Sequence, residues 1–498
     1  MKMTRSRTRL SLIISLIAVL IVSGLVSTGS AGWLSLQDES WRKQPPRPGP
    51  PRPFNLPASR EARLGNGLTL VIVEDHRAPI ATIEIGIPLM LTPYGDLNSF
   101  THQVALAEAT AELITEGAGL RTSEQLAREI ETIGGRIASS ANDDFAEVTA
   151  SVISENIERM IDLIGDALLR PTFPQKEIAL YKNNRVESLA VERQDPAFLV
   201  RERFNHVVYG SHHPYAVIAP TPEAVRAITR TKLLNFYRNN YTPSSAVIVI
   251  AGDFDATKIE AKLRMVFGKW KEPRRAIAGG KIQAMPKPTA RRVYLIDRPG
   301  SEQADFRIGG LAVARAHADF FPLMVANAVL GAGTGSRLFL NVREKKGYTY
   351  DVSSTVSAFK EAGTFFASSE TRAEATLAAI KEMLAELDRL RNEKVGMEEL
   401  QNAKNYLTGL FSLELSTQGG IADQMIQARL FGLGADYLKT YRARIEAVTA
   451  DQVQAVARKY MMSDNATIVV VGDAAKLRKD LSTLGPVELF DTQGKRMK

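Results

Sequence analysis

The chain carries one motif twice. "FYRNNYTPSSAVIVIAGDF", Phe236 to Phe254, is matched by "ARKYMMSDNATIVVVGD", Ala457 to Asp473. Each copy reads as a helix end, a tyrosine, a short loop, an apolar strand and a Gly-Asp pair. Tyr241 and Tyr460 lie 219 apart (460 − 241), and Asp253 and Asp473 lie 220 apart (473 − 253). "KEIALYKNN" from Lys176 and "EELQNAKNY" from Glu398 repeat at nearly the same offset, 222 (399 − 177). A solenoid requires three or more short repeats, so two large ones indicate a duplicated domain. The expectation is two related halves, 58–272 and 289–485, joined by a linker at 273–288. Each is an α+β layer of helices on a largely antiparallel sheet.

A chain of 498 residues has room for two such domains and their cores. Its net charge of +8 is concentrated outside them. Lys2, Arg5, Arg7 and Arg9 precede an uncharged apolar run at 10–26, and Arg42, Lys43, Arg47 and Arg52 stand in a proline-rich stretch, 32–57. That placement argues against a nucleic-acid-binding face, and no zinc-finger, helicase or phosphate-loop pattern is present. Residues 1–31 read as a signal peptide or a signal anchor, with "GSA" at Gly29 to Ala31 as a cleavage site; both readings stay open. Either way the basic flank stays inside and the remainder is exported. The expected location is the periplasm, with residues 10–26 as the candidate anchor to the inner membrane. The proline-rich stretch is an extended, semi-rigid spacer. The chain has no cysteine, which removes disulfides, thiolate metal sites and cysteine nucleophiles.

Within the first half the pattern predicts a hairpin, with strands at 68–74 and 80–87 and a turn near Asp75 to Pro79. A helix follows at about 103–115, then "SEQLAREIETIG" with Ser123 as its N-cap. "RIASSANDDFAEVTASVI" alternates as strands, and "ENIERMIDLIGDALL" is an amphipathic helix ended by Pro171.

Three stretches, "LGNGLTLVIVEDHRAPIATIEIGI", "YGSHHPYAVIAPTPEAVRAITRTKLLNFYRNNYTPSSAVIVIAGDF" and "LGAGTGSRLFLNVREKKGYTYDV", together resemble the pitrilysin/insulinase zinc-peptidase family. The likeness covers about residues 58–475 and is nearest to bacterial two-domain members similar to mitochondrial processing peptidase subunits. It implies that the two domains form half of a clamshell. It also implies an inverted zinc motif, His-x-x-Glu-His, on the helix after the first hairpin: two histidines on one helix face hold zinc and the glutamate acts as general base.

That helix reads "VALAEATAEL" here. Laid on the motif, Glu108 stands at the first histidine, Ala111 at the glutamate and Glu112 at the second histidine. The six histidines are His76, His102, His206, His212, His213 and His317, and no two fall at i and i+4. The third ligand is expected near 179–182, where "ALYK" has no acid. This family's zinc chemistry is therefore unavailable to the chain alone. Glu108, Glu112 and Glu116 form a row suited to a hard cation, but a solvated acidic face is the commoner outcome for such a pattern. Like charges at i,i+4 leave room for a basic neighbour. No chemistry is assigned to His102, His212 or His213.

The second half retains what the resemblance implies for the other side of the site. Gly331, Gly333 and Gly335 form a loop that is either an ordinary turn or a lip against which peptide backbone is bound. Arg337 and Tyr350 stand where family members place an arginine and a tyrosine that bind the substrate carbonyl and its oxyanion. Peptide hydrolysis builds negative charge on oxygen, and fixed donors in a dry site stabilise it. Residue type alone also allows a salt bridge for Arg337, for instance to Glu344, and a half-buried strand position for Tyr350. Tyr348 would share the strand face of Tyr350.

An absent zinc half and a present arginine–tyrosine half imply a division of labour. The expected function is that of a non-catalytic subunit of an exported heterodimeric zinc endopeptidase. It would bind peptide substrate and complete the site of a homologous, zinc-bearing partner. It would itself hold no cofactor, and the partner would hold the zinc. A catalytically inert scaffold or peptide-binding protein of the same fold is the alternative.

Overall fold

In the computed structural model the described residues are 56–89, 91, 95–272 and 284–498. The expected apolar run at 10–26, the proline-rich stretch up to 55 and most of the linker lie outside them. Among the described residues, no helix is long and apolar enough to cross a membrane.

Two six-stranded sheets carry the duplication. The first comprises β1 (Ser59–Arg63), β2 (Thr69–Glu74), β3 (Ile80–Pro88), β4 (Arg136–Ala141), β5 (Phe145–Ile153) and β6 (Val247–Gly252), in the order β1-β2-β6-β3-β5-β4. The second comprises β7 (Arg292–Asp297), β8 (Gln303–Ala312), β9 (Val352–Ala358), β10 (Gly363–Arg372), β11 (Thr467–Gly472) and β12 (Val487–Phe490), in the order β12-β7-β11-β8-β10-β9. From β2 and β7 onward the two orders are the same. In each, the late strand enters parallel to the first hairpin strand and antiparallel to the second (β6 between β2 and β3, β11 between β7 and β8). Only the outer edges differ: β1 runs antiparallel to β2, whereas β12 runs parallel to β7. β12 extends the second half beyond residue 485.

The central strands are apolar runs because they are covered on both sides. Alternate residues point to opposite faces. Leu70, Ile72, Ile248 and Ile250 join a core with the helices Ile157–Leu169 and Ala256–Phe267 of the same half. Val71, Val73, Val247 and Val249 instead pack against Ile421, Ala422, Met425 and Ile426 on the helix Gln418–Leu430 of the second half. The reciprocal contact exists as well. Phe198, Leu199, Phe204 and Val208 on the helix Pro196–Tyr209 of the first half pack against Ile296, Phe366, Val469 and Val471 of the second sheet. The two covering helices begin 222 residues apart (418 − 196), so the exchange follows the repeat.

A polar tie also joins the halves. The Tyr215 hydroxyl donates to Asp144 Oδ1 at 2.5 Å, and the Lys360 backbone N–H donates to Asp144 Oδ2 at 2.8 Å. Local signals place the elements. Asp96 caps the helix Leu97–Leu113 by accepting from Ser99 N–H, so this helix starts earlier than its apolar pattern suggests. The next helix, Ser123–Thr132, is capped by Thr122 rather than Ser123, through a reciprocal box with Gln125.

The exchanged helix meets the first sheet across buried acid. Glu84 on β3 is 7% exposed, and burial together with Asp423 and Glu147 pushes its carboxyl up to about 8. Asp423 lies on the covering helix, where Gln424 donates to it, and Gln427 donates to Glu147. At neutral pH the folded protein keeps a proton on Glu84 that the unfolded chain, at an ordinary 4.5, has released. The folded pKa is the higher one, so stability falls as pH rises from about 4.5 to about 8 and levels off above.

Two outcomes are expected in denaturant unfolding. Phe204→Ala, which empties a fully buried site facing Phe366, lowers stability by about 3–5 kcal/mol. Glu84→Gln makes the decline between pH 5 and pH 9 shallower; an unchanged slope would show that Glu84 does not contribute to it.

Candidate functional site

The helix Leu97–Leu113 is alanine-rich because its neighbours approach closely. Ala105, Ala109 and Leu113 pack with Ile178, Tyr181 and Leu189 of the helix Gln175–Glu192. Ala111, at the position of the expected general base, is completely buried and carries no functional group. Glu108 and Glu112 lie on the face that turns toward the helix Gln175–Glu192.

The residue that meets them is Arg185, outside the 179–182 window. Its Nε donates to Glu108 Oε2 at 3.1 Å and its Nη1 to Glu192 Oε1 at 2.6 Å. Tyr181, one turn earlier, has a buried hydroxyl with no hydrogen-bond partner among the described residues. Burial pushes the Glu108 and Glu112 carboxyls up, against the downward pull of the Arg185 guanidinium. The basic neighbour that the i,i+4 acids leave room for is therefore intramolecular. Glu116 accepts from the Ser123 hydroxyl and does not extend the pair.

Zinc does not fit this set. The donors are two carboxylates, a phenol and a guanidinium that is permanently protonated, and a cation of that kind cannot ligate a metal. Among the described residues no group of three or more His, Cys, Asp or Glu side chains is placed to hold one.

The histidines have structural places. His102 Nδ1 meets the Asn98 carbonyl at 2.8 Å and His212 Nδ1 the Gly95 carbonyl at 3.3 Å. His213 is buried, accepts from Tyr215 N–H and stacks on Tyr209. Burial pushes its imidazole down to about 4, so it stays neutral.

In the second half, the helix Phe320–Gly331 ends against β9. Gly331 is buried there, and a Cβ would lie 2.5 Å from the Ser354 backbone nitrogen, so its role is close packing. Gly333 turns the chain at φ 94°, a conformation that favours glycine. Gly333 and Gly335 are exposed and line a groove of about 590 Å³ with Glu399 and Tyr406 of the helix Met397–Glu414.

Arg337 does not pair with Glu344. Its Nε and Nη2 donate to the two oxygens of Glu399 at 2.7 and 2.8 Å, in the bidentate geometry that arginine favours. Its side chain is 10% exposed, and its buried Nη1 has no partner among the described residues. Tyr350 is 91% exposed and lies before β9 rather than in it. Period-two parity therefore does not apply: Tyr348 packs against the core while Tyr350 faces solvent. Arg343 lies between Arg337 and Tyr350 in the chain, on a stretch of π-helix, Phe339–Lys345, and sequence reasoning passed over it. It lies over the Phe339 ring at 4.6 Å and is only loosely paired with Glu344, at 3.5 Å.

Glu108 opens into a cleft between the halves that neither Arg337 nor Tyr350 lines.

This fold and this altered helix define a two-domain metallopeptidase homologue. Residues 107–220 match the family described as Insulinase (Peptidase family M16), and residues 227–407 match the family described as Peptidase M16 inactive domain. The chain belongs to this pitrilysin/insulinase family. It is similar to an uncharacterized zinc protease of Streptomyces coelicolor, 27% identical over 404 residues, 80% of this chain and 83% of that protein. It is 24% identical over 411 residues to the uncharacterized zinc protease YmxG of Bacillus subtilis, covering 81% of this chain and 96% of YmxG. Two solved structures share the fold. A peptidase M16 inactive domain from Pseudomonas fluorescens is 24% identical with a TM-score of 0.75, covering 84% of this chain and 98% of that one. A protease from Helicobacter pylori is 18% identical with a TM-score of 0.76, covering 84% and 100%.

Arg185→Ala leaves Glu108 and Glu192 without their cation. The variant should lose about 3 kcal/mol of stability at pH 7. The loss should shrink as the pH is lowered, because burial pushes the Glu108 carboxyl up and it takes up a proton the more readily. Denaturant titrations at pH 7 and below measure it.

Proposed function

We propose that this chain is the non-catalytic subunit of an exported heterodimeric zinc endopeptidase. It binds peptide substrate and lends donors from the segment 337–350 to the metal site of a zinc-bearing homologous partner. The observation that carries this reading is the Arg185 guanidinium bound to Glu108. The face that holds zinc in the family is closed here by an internal cation, so hydrolysis requires a metal from another chain.

Two features support the donor role. Tyr350 presents its phenol to solvent. Arg337 is held by both oxygens of Glu399, and its buried Nη1 has no hydrogen-bond partner among the described residues. A guanidinium and a phenol held in place are what a developing oxyanion needs. Arg343 is the more accessible guanidinium of the same segment, 40% exposed against 10% for Arg337. Export rests on the basic flank and apolar run of residues 1–31.

One observation favours the scaffold reading: Glu399 already satisfies two nitrogens of Arg337, as a purely structural arginine would be satisfied. The complex with a zinc-bearing homologue separates the two. Under the subunit reading, Tyr350→Phe and one of Arg337→Ala or Arg343→Ala lower kcat about ten- to a thousandfold while bound zinc is unchanged. Absence of a complex, or full turnover by all three variants, supports the scaffold.

A further inference from the structure

The cleft beside Glu108 has a volume of about 390 Å³ and is lined from both halves. The first half contributes Arg201 and Asn205 on the helix Pro196–Tyr209; the second contributes Arg307 on β8, with Thr364 and Phe366 on β10. Neither arginine makes a hydrogen bond or ion pair with any described residue. Each is instead mounted on an aromatic ring of the same apolar cluster: Arg307 lies 4.0 Å over Phe366, and Arg201 lies 5.7 Å from the centre of Phe198. Stacking fixes the plane of a guanidinium and leaves its edge free to donate.

The surroundings do not neutralise the two charges. Burial and the neighbouring Arg201 both push Arg307 down, to about 10, so the charge that acts on it is another cation. Neither acid that lines the cleft, Glu108 or Asp143, pairs with these arginines. Glu108 is held by Arg185. The Asp143 carboxyl is pushed up to about 7 by burial, Asp144 and Glu108. Two like charges that line one half-buried cleft are unfavourable without an anion.

We infer that Arg201 and Arg307 form a carboxylate-binding subsite, which selects peptides bearing an acidic side chain or a free C-terminus. The choice of a peptide rests on the peptide-binding reading above; the anion site rests on the arginines. Guanidinium edges pair with carboxylates through two parallel hydrogen bonds. The adjoining apolar wall, Val104, Val217 and Phe359 among it, suits neighbouring peptide side chains better than it suits a free inorganic anion. The volume is at the low end for ligand pockets, enough for a short segment.

The test uses the isolated full-length chain and no partner, so failure of the heterodimer would not affect it. Fluorescence anisotropy compares three labelled peptides: one with Asp and Glu and an amidated C-terminus, its Asn and Gln counterpart, and a neutral peptide with a free C-terminal carboxylate. One or both carboxylate peptides should bind about ten- to a hundredfold more tightly than the neutral amide. Salt should weaken that preference. Arg307→Gln and Arg201→Gln should each abolish it. Arg201 is exposed, so its variant tests the site even if Arg307→Gln does not fold. Which carboxylate peptide binds tells the side-chain source from the C-terminal source. Equal or no binding of the three peptides, a preference that survives Arg201→Gln, or competition by inorganic phosphate as strong as by the acidic peptide would overturn the assignment.

Discussion

Each sheet is buried on both faces, and the second face is covered by a helix from the other half. The helix Gln418–Leu430 completes the first sheet and the helix Pro196–Tyr209 completes the second. This exchange sets where everything else can lie. It brings β8 and β10 of the second half beside the helix Pro196–Tyr209 of the first, and the cleft with Arg201 and Arg307 forms there. It also explains why β6 and β11 contain almost no polar residue, and why Glu84, which does face the exchanged helix, is held with its proton on.

On the helix Leu97–Leu113, Glu108 and Glu112 stand where the family motif has histidines, and partly buried carboxylates are costly without a cation. Arg185 provides that cation from within the chain, at a fixed position and with two hydrogen bonds. A guanidinium satisfies Glu108 and Glu192 but does not generate the bound hydroxide that a metal supplies. Ala111 makes the point independently, since a buried methyl can accept no proton.

Much of the fold was legible because its signals are local or periodic. The two Gly-Asp-terminated strands, the first hairpin and the helix Ile157–Leu169 follow from unbroken or alternating apolar runs. The exchanged helices were not legible, because an apolar helix face does not reveal which sheet it covers. At the site, the missing histidines were plain from residue identity alone. Arg185 was missed because a fixed count from the motif led to 179–182, whereas the helix register turns 181 and 185 inward. The Arg337–Glu399 pair spans 62 residues and leaves no trace in local pattern. The expected parity of Tyr348 and Tyr350 failed because the chain there is irregular and enters β9 only at Val352.

The exchange has a consequence for synthesis. When the first half leaves the ribosome, Val71, Val73, Val247 and Val249 have no cover, because residues 418–430 have not yet been made. At roughly 5–20 residues per second, the remaining interval lasts about ten seconds or more. During it the nascent chain displays a flat apolar sheet face of the kind that recruits chaperones or associates with its own copies. A duplication whose halves finish each other thus cannot be matured one half at a time, and the second half acts as the delayed lid of the first.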